Sequence, residues 1–461
     1  YDALNPGVDL LRNPESGRGL RDQQFGMRVN VVGGNLGGFG IDHVKGDRSL
    51  YSLAADWRVN GRLSLFLDYE KLTRSATEQA IIAVPAVVNG VIPLPVRPDA
   101  GNFLSPGPWA VTAGNAENVI GKATLALSDR WAASFEVGRA VTNRTERALP
   151  IFSFTNLATG AGNVSVSFNQ GERYVNENYR AELTGLIPMG PVTNELTFGF
   201  MRNDRFQNGA AGGARRIDPS NTTIPLTYAQ NLYHPILYTQ RTTFNRPAIG
   251  FRPQNARDDG LYLFDRIRFN DQWQVVLGAR RSDYENISNP NPTTQVVYRA
   301  KQTSPSASVV YQFRPDTSLY ASYIEGLEEG ETAPTLGVIN PAEVFGPKIS
   351  KQKEIGLKTE FFEGLTATVA YFDMDVPTAG YRVATSTPGL DRYVQEGRSD
   401  YKGVEFSLTG ELTPELSLVV GGLLLDASQE TTSNPAQLGK IPDSTAERTY
   451  NAYVDYRPQW A

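Results

Sequence analysis

The feature that most constrains this chain is an apolar/polar alternation of period two that returns sixteen times in 461 residues. Across 62–70, Leu63, Leu65, Leu67 and Tyr69 fall on one side, and Ser64, Phe66, Asp68 and Glu70 on the other. Leu196, Phe198 and Phe200 oppose Glu195, Thr197 and Gly199, and Val404, Phe406 and Leu408 oppose Glu405, Ser407 and Thr409. Successive side chains leave a strand on opposite sides, so each segment is a strand with one apolar and one polar face. The pattern predicts strands at roughly 24–33, 49–58, 62–72, 118–127, 131–143, 174–187, 192–206, 257–269, 273–285, 303–313, 317–326, 351–361, 364–376, 400–411, 415–428 and 445–457. Helical periodicity is scarce.

The connections alternate strictly in length. One class is tight, as at Val59-Asn60-Gly61, Ser128-Asp129-Arg130, Asn270-Asp271-Gln272, Arg314-Pro315-Asp316 and Thr413-Pro414-Glu415, with residues that supply φ > 0 or a preset φ. The other class runs from about 15 to about 50 residues. Short turns on one rim and long loops on the other belong to an up-and-down barrel in a membrane, and a soluble sandwich mixes its connection lengths. Strands of 10–14 residues suit a tilted crossing, which needs about 9–11. Trp57, Trp131, Trp273, Phe269, Phe313, Phe361 and Tyr456 lie beside tight turns, where amphipathic rings form a girdle at the membrane–water interface. The expected fold is all-β, a transmembrane antiparallel up-and-down β-barrel.

Composition removes other classes. With no Cys there is no disulfide framework, thiolate metal site or Cys nucleophile, and His43 and His234 each sit in a polar stretch. A formal charge of −5 argues against a nucleic-acid binder. The longest apolar run, 80–96, holds Pro85, Pro93, Pro95 and the turn pair Asn89-Gly90, so it reads as an extended apolar loop and not as a spanning helix. No nucleophile elbow, justified carboxylate pair or phosphate-cradling Gly loop is present, and the apolar outward bands argue against a soluble all-β hydrolase. The chain is therefore not expected to be an enzyme, and no cofactor is expected. Glu328, Glu329 and Glu331 read as a solvated loop, since a Ca²⁺ site needs 6–8 oxygens in fixed geometry.

Several stretches resemble a known family. Ser318-Leu319-Tyr320-Ala321-Ser322-Tyr323-Ile324-Glu325-Gly326-Leu327 with Ala333-Pro334, then Lys348-Ile349-Ser350-Lys351-Gln352-Lys353-Glu354-Ile355-Gly356-Leu357-Lys358, are similar to hallmarks of TonB-dependent ferric-siderophore receptors. So are Ala370-Tyr371-Phe372-Asp373-Met374-Asp375-Val376-Pro377, Tyr393-Val394-Gln395-Glu396-Gly397 and Lys402-Gly403-Val404-Glu405-Phe406-Ser407-Leu408-Thr409-Gly410, in the family's order and spacing from about residue 300 to 457. The tract 325–331 departs from the family pattern by being more acidic. The resemblance implies a barrel of the 22-stranded type with a plug in its lumen. About 16–17 strands fall in this chain if 24–33 is strand two. Residues 1–461 then form a single partial barrel domain, with long extracellular loops at about 73–117, 144–173, 207–256, 327–350 and 377–399. The plug and the last strands are expected outside it. Tyr1–Arg12 reads as the tail of a strand and Arg457–Ala461 as a tight turn with no strand after it.

The function this implies is energy-coupled uptake of a ferric siderophore across the bacterial outer membrane. Its implied partners are the siderophore, the TonB–ExbB–ExbD complex acting through the plug, and lipopolysaccharide and other outer-membrane lipids. Iron enters only as part of the bound chelate. A passive porin-like or adhesion barrel is the alternative. Ferric chelates present anionic oxygens and flat faces, which suit the planar guanidinium fork and the phenol ring. The loop 207–256 carries Arg215, Arg216, Arg241, Arg246 and Arg252 interleaved with Tyr228, Tyr233 and Tyr238. These are the ligand-binding candidates, with Tyr381 and Tyr393, and Arg139, Arg144 and Arg147 at another loop base are of the same type. Glu136, Glu182, Arg280, Glu354 and Glu405 fall on the inward set of their strands and are assigned to holding the plug.

Overall fold

The computed structural model describes residues 7–8, 24–37, 40–85, 87–169, 171–210, 227–238, 251–288, 295–334, 336–362, 364–432 and 434–458. Sixteen long strands carry the architecture. They are β1 (Phe25–Gly37), β2 (Lys45–Arg58), β3 (Leu63–Thr77), β4 (Val111–Ala126), β5 (Trp131–Asn156), β6 (Glu172–Met189), β7 (Val192–Ala210) and β8 (Phe251–Arg268). The meander continues through β9 (Trp273–Ser288), β10 (Val296–Arg314), β11 (Thr317–Glu328), β12 (Lys348–Phe362), β13 (Leu365–Pro377), β14 (Arg398–Thr413), β15 (Leu416–Thr431) and β16 (Arg448–Tyr456). Each long strand pairs antiparallel with the next in one sheet. Gly7–Val8 pairs antiparallel with β1 through Val29 and Asn30, where the sequence places the tail of a preceding strand. All sixteen expected strands are present.

The tight turns form where the sequence supplies a side chain that closes them. Asn60 Oδ1 accepts the backbone N–H of Arg62 at 2.8 Å and of Leu63 at 2.9 Å. Asn270 Oδ1 does the same for Gln272 at 2.9 Å and Trp273 at 2.8 Å. On the opposite rim the strands run further than the alternation marks. β5 continues to Asn156 and β4 begins at Val111, because a ladder can go on pairing backbone groups outside hydrocarbon with any side chains.

The register sorts the side chains. Phe198, Phe200, Leu261, Leu263, Leu277, Ile355 and Val369 share the outward face and are between 37% and 51% exposed, a continuous apolar band that no soluble surface carries. Trp57, Trp273, Phe269, Phe313, Phe361 and Tyr456 sit on the same face at the short-turn rim, and Trp273 stacks on Tyr311 at 4.4 Å. The inward face is mainly polar, with Phe66, Ile120 and Phe264 among its apolar members.

The best-buried apolar cluster lies in the long connections. Ala80, Leu104, Ala110, Ala148, Phe152, Val164, Val166 and Leu232 form it, with Trp109, Phe154, Tyr228 and Tyr233 packed on its edge. It gathers the connection 78–110, the outer end of β5 with its partner Ala161–Asn169, and Thr227–Asn231. The apolar run 80–96 projects from this core as an extended segment, turning at Asn89 (φ 51°) and Gly90 (φ 79°), as its sequence predicts.

Placing a charge in the outward band separates the two faces. Phe198→Arg is expected to lower stability by about 2–4 kcal/mol in urea titrations in phospholipid vesicles, and Thr197→Arg, one residue away on the inward face, by much less.

Candidate binding vestibule

The inward face of β5–β10 holds a polar row set by register, running Ser134, Glu182, Gly199, Tyr262, Arg280 and Ser304. Gly199 has no side chain, and the Tyr262 ring fills the space so closely that an added Cβ would lie 2.2 Å from it. The ring thereby spans a strand, and its hydroxyl donates to Glu182 Oε1 at 2.8 Å. Arg180 donates to Glu136 Oε2 at 2.7 Å and lies 3.8 Å from Glu182 Oε2. Arg280 donates to Asp258 Oδ2 at 2.9 Å and also to Ser282 Oγ. The arrangement repeats further round: Tyr320 crosses Gly356 and donates to Glu354 Oε1 at 2.5 Å.

Four of the five residues assigned to the lumen wall, Glu136, Glu182, Arg280 and Glu354, are thus engaged on the inward face. Glu405 shares that face through its register with Ala370, is exposed, and takes part in none of these hydrogen bonds. Above this wall, Arg205, Arg280, Asp258, Tyr284, Tyr298 and Glu329 line a hollow of about 570 Å³. Its floor is an ion pair, and its sides are phenols and guanidinium groups.

The acidic tract is where the sequence expectation fails. Glu329 turns back to the wall, accepting Tyr284 OH at 2.9 Å and Asn286 Nδ2 at 2.7 Å. Gly330 N donates to Tyr298 OH at 2.9 Å. Glu331 reaches the next loop, accepting Gly380 N at 3.0 and 2.9 Å, Tyr393 OH, and Lys348 Nζ at 3.4 Å. Glu329 and Glu331 are thus fastened as anchors, while Glu328 and Glu329 keep the exposure that the sequence predicts. Burial pushes the Tyr393 hydroxyl up, and the hydrogen bond to Glu331 adds to it, to about 12. For Glu331 burial alone acts to raise the pKa, but the bonds from Tyr393 and Gly380 and the Lys348 charge outweigh it and hold the carboxyl below its ordinary value.

Of the ligand candidates, Arg215, Arg216, Arg241 and Arg246 lie outside the described residues, and Arg252 is placed only by its backbone pairing with Gly209. The structure brings Tyr228, Tyr233 and Tyr238 together, in packing roles. Tyr228 and Tyr238 lie 5.1 Å apart, Tyr238 OH donates to Ala229 O at 2.8 Å, and Tyr233 packs on the loop core. Tyr381 and Tyr393 face each other's strands in the small hairpin Tyr381–Ala384 with Asp391–Val394. Arg139 is on the outward face, paired with Glu177 at 3.0 Å, so it points away from the vestibule. Arg144 pairs with Glu172 at 3.5 Å and lies over the Tyr174 ring.

Residues 60–461 match the family described as TonB dependent receptor-like, beta-barrel. This chain belongs to that family. It is an outer-membrane protein whose outward band faces lipid, and the family is one of transport receptors. The chain is 24% identical over 434 residues to the ferrichrome receptor FcuA of Yersinia enterocolitica, covering 91% of this chain and 53% of that one. It is 26% identical over 271 residues to the metal-pseudopaline receptor CntO of Pseudomonas aeruginosa, covering 56% of this chain and 36% of the relative. The fold is similar to that of BauA, the ferric preacinetobactin receptor of Acinetobacter baumannii, with a TM-score of 0.81 at 21% identity, covering 95% of this chain and 63% of the other. The chain thus spans about half the length of the first curated relative.

The Glu331 anchor has a definite pH sign. Its carboxylate has a depressed pKa, so its contribution is present above the ordinary carboxylate value of about 4.5 and is lost as pH falls through the lower folded value. Amide exchange at Gly380 should stay protected down to about that pH and open below it. At neutral pH, Glu331→Ala is expected to speed that exchange about ten- to a hundredfold, the worth of a hydrogen bond to a charged group.

Proposed function

We propose that this chain forms the wall and mouth of an outer-membrane receptor that takes up a ferric siderophore with energy supplied from the inner membrane. The observation that carries this reading is the family match over 60–461, joined to an inward wall lined with Tyr, Arg and carboxylate side chains. Ferrichrome and metal-pseudopaline are the cargoes named for the two relatives, and a metal chelate is the class proposed here. The work is binding and gated passage and not bond chemistry. Iron is cargo, present only within the chelate, and no resident cofactor is required.

In this reading Arg215, Arg216, Arg241, Arg246 and Arg252 meet the anionic oxygens of the chelate, with Tyr228, Tyr233, Tyr238, Tyr381 and Tyr393 offering ring faces beside them. Glu136, Glu182, Arg280, Glu354 and Glu405 meet a plug. The TonB–ExbB–ExbD complex acts through that plug, and outer-membrane lipid, lipopolysaccharide included, surrounds the band.

Uptake of radiolabelled iron supplied as a panel of ferric hydroxamate, catecholate and carboxylate chelates tests this in iron-starved cells carrying the whole protein. At least one chelate should enter, and removing TonB should reduce its entry to background. Entry of unrelated small solutes into liposomes through the same protein, with no dependence on TonB, would instead identify a passive pore.

A further inference from the structure

The apolar segment that leaves the loop core is open to water on its side chains and on one backbone edge. Between Glu78 and Arg97 no residue is charged. Nine apolar side chains from Ile81 to Val96 are exposed, from 44% at Ile82 to 83% at Leu94. Together they leave on the order of 900 Å² of apolar surface in water, more than the largest patch of a typical monomer.

Lipid does not cover it. Ile81 and Ile82 pair with Ile151 and Phe152, and Ile151 lies twenty residues beyond Trp131 at the short-turn end of β5. Crossing the hydrocarbon uses about 9–11 of those residues, which sets the root of the segment roughly 25 Å above it on a tilted strand. An arm of the hairpin, from Ala83 to the turn at Asn89, spans roughly 20 Å at full stretch.

Val88 and Val91 each donate to the other's C=O, at 2.8 and 3.0 Å, so the two arms face each other there. An extended run points successive N–H groups to opposite edges, which puts Pro93 and Pro95 on the same inner edge as Val91. Neither has an N–H, and the pairing of the arms ends at that one bridge. Ile92, Leu94 and Val96 turn their N–H groups to the outer edge, and none of the three makes a backbone hydrogen bond among the described residues. Their side chains are exposed, while the two prolines are half-buried.

An uncharged edge with free donors and acceptors is a template for another edge of the same kind. Two copies held in one bilayer by the same outward band present it at the same height, and a neutral edge meets its mate without repulsion. The apolar surface beside it is of the order of the 800 Å² or so per partner that a specific interface covers. We propose that this hairpin joins two copies of the protein, through antiparallel pairing of 92–96 with the same segment of a second copy about Leu94. With Leu94 opposite its mate, Ile92 faces Val96, and every N–H of the edge meets a carbonyl without calling on a proline. The inference rests on the hairpin alone and not on what the receptor transports.

The test uses the whole protein in phospholipid vesicles. Residues 1–461 hold no Cys, so Leu94→Cys places a new thiol at the centre of the pairing, where facing Cα atoms about 4.5–5.5 Å apart lie within disulfide reach. Mild oxidation should link Leu94→Cys into dimers at least about ten times faster than Ser386→Cys, an exposed position on another connection. Energy transfer between labelled copies should saturate with protein density, and Leu94→Asp should move its midpoint about tenfold higher. Heat-modifiable migration on gels shows that each variant is folded. Equal linking rates for the two thiols overturn the proposal, as does energy transfer that Leu94→Asp leaves unchanged. Quenching of a label at position 94 by brominated acyl chains would assign the hairpin to lipid and overturn it. So would copies that stay single while a different protein shields the hairpin. Uptake of a chelate is a separate readout, so failure here leaves the transport reading untouched, and failed uptake leaves this one untouched.

Discussion

A backbone amide in hydrocarbon has no water to bond, and that single fact organises the molecule. From β2 to β15 each long strand is paired along both edges, so the segments lie side by side as one antiparallel sheet. The side chains are then left without the task they have in a soluble protein. Outward ones can be apolar without a partner, and Phe198 and Leu263 stay half exposed because lipid covers them. Inward ones border a space too wide for side chains to fill, and they settle their charges against each other along the wall. The packed apolar core that a soluble domain keeps at its centre is displaced into the long connections, around Phe152, Val164 and Leu232.

Period two is a local signal, and what depends on it was legible from the sequence. All sixteen strands and the alternation of short and long connections are where the pattern places them, because parity in a strand needs no knowledge of its neighbours. Strand length was less legible. The outward set of β7 reads Leu196, Phe198, Phe200, Arg202, Asp204 and Phe206, and the alternation of apolar with polar breaks at Arg202 while the pairing runs on to Ala210. Arg139 shows the same limit. Near a loop base, Arg serves either face, and only the pairing with Glu177 across β5 and β6 fixes it outward.

The acidic tract was misread for a different reason. Three glutamates in four positions look self-repelling when no partner is in sight, and their partners are far along the chain. Glu329 finds Tyr284 and Asn286, more than forty residues back, and Glu331 finds Gly380 and Tyr393, forty-nine and sixty-two residues on. Period carries no information about contacts at that separation. The departure of this tract from the family pattern was the available signal. A charged run that breaks a shared motif is a candidate for a contact of its own, and not only for solvent.

The two sides of the mouth are held by different physics. Around Phe152 the connections share a buried apolar cluster, and no single side chain carries it, since each buried group of that size is worth about 1.5–3 kcal/mol and the others remain. Between 329–347 and 378–397 the joint is polar: Glu331 with Gly380, Tyr393 and Lys348, Gln395 with Gly346, and Asn340 with Tyr393. There one carboxylate serves three donors, so its loss leaves several groups unsatisfied at once. Stability on that side rests on directional hydrogen bonds, three of whose donors converge on one titratable group, and on the other it is spread over an apolar surface. The mouth therefore has one wall that no single titration touches and one that loses three donors' bonds at once when the Glu331 carboxylate is neutralised, while those of Asn340, Arg382 and Gln395 remain. The second lies beside the hollow of Arg280, Tyr284 and Glu329, and Glu329 links the two, accepting from Tyr284 and Asn286 two positions before Glu331.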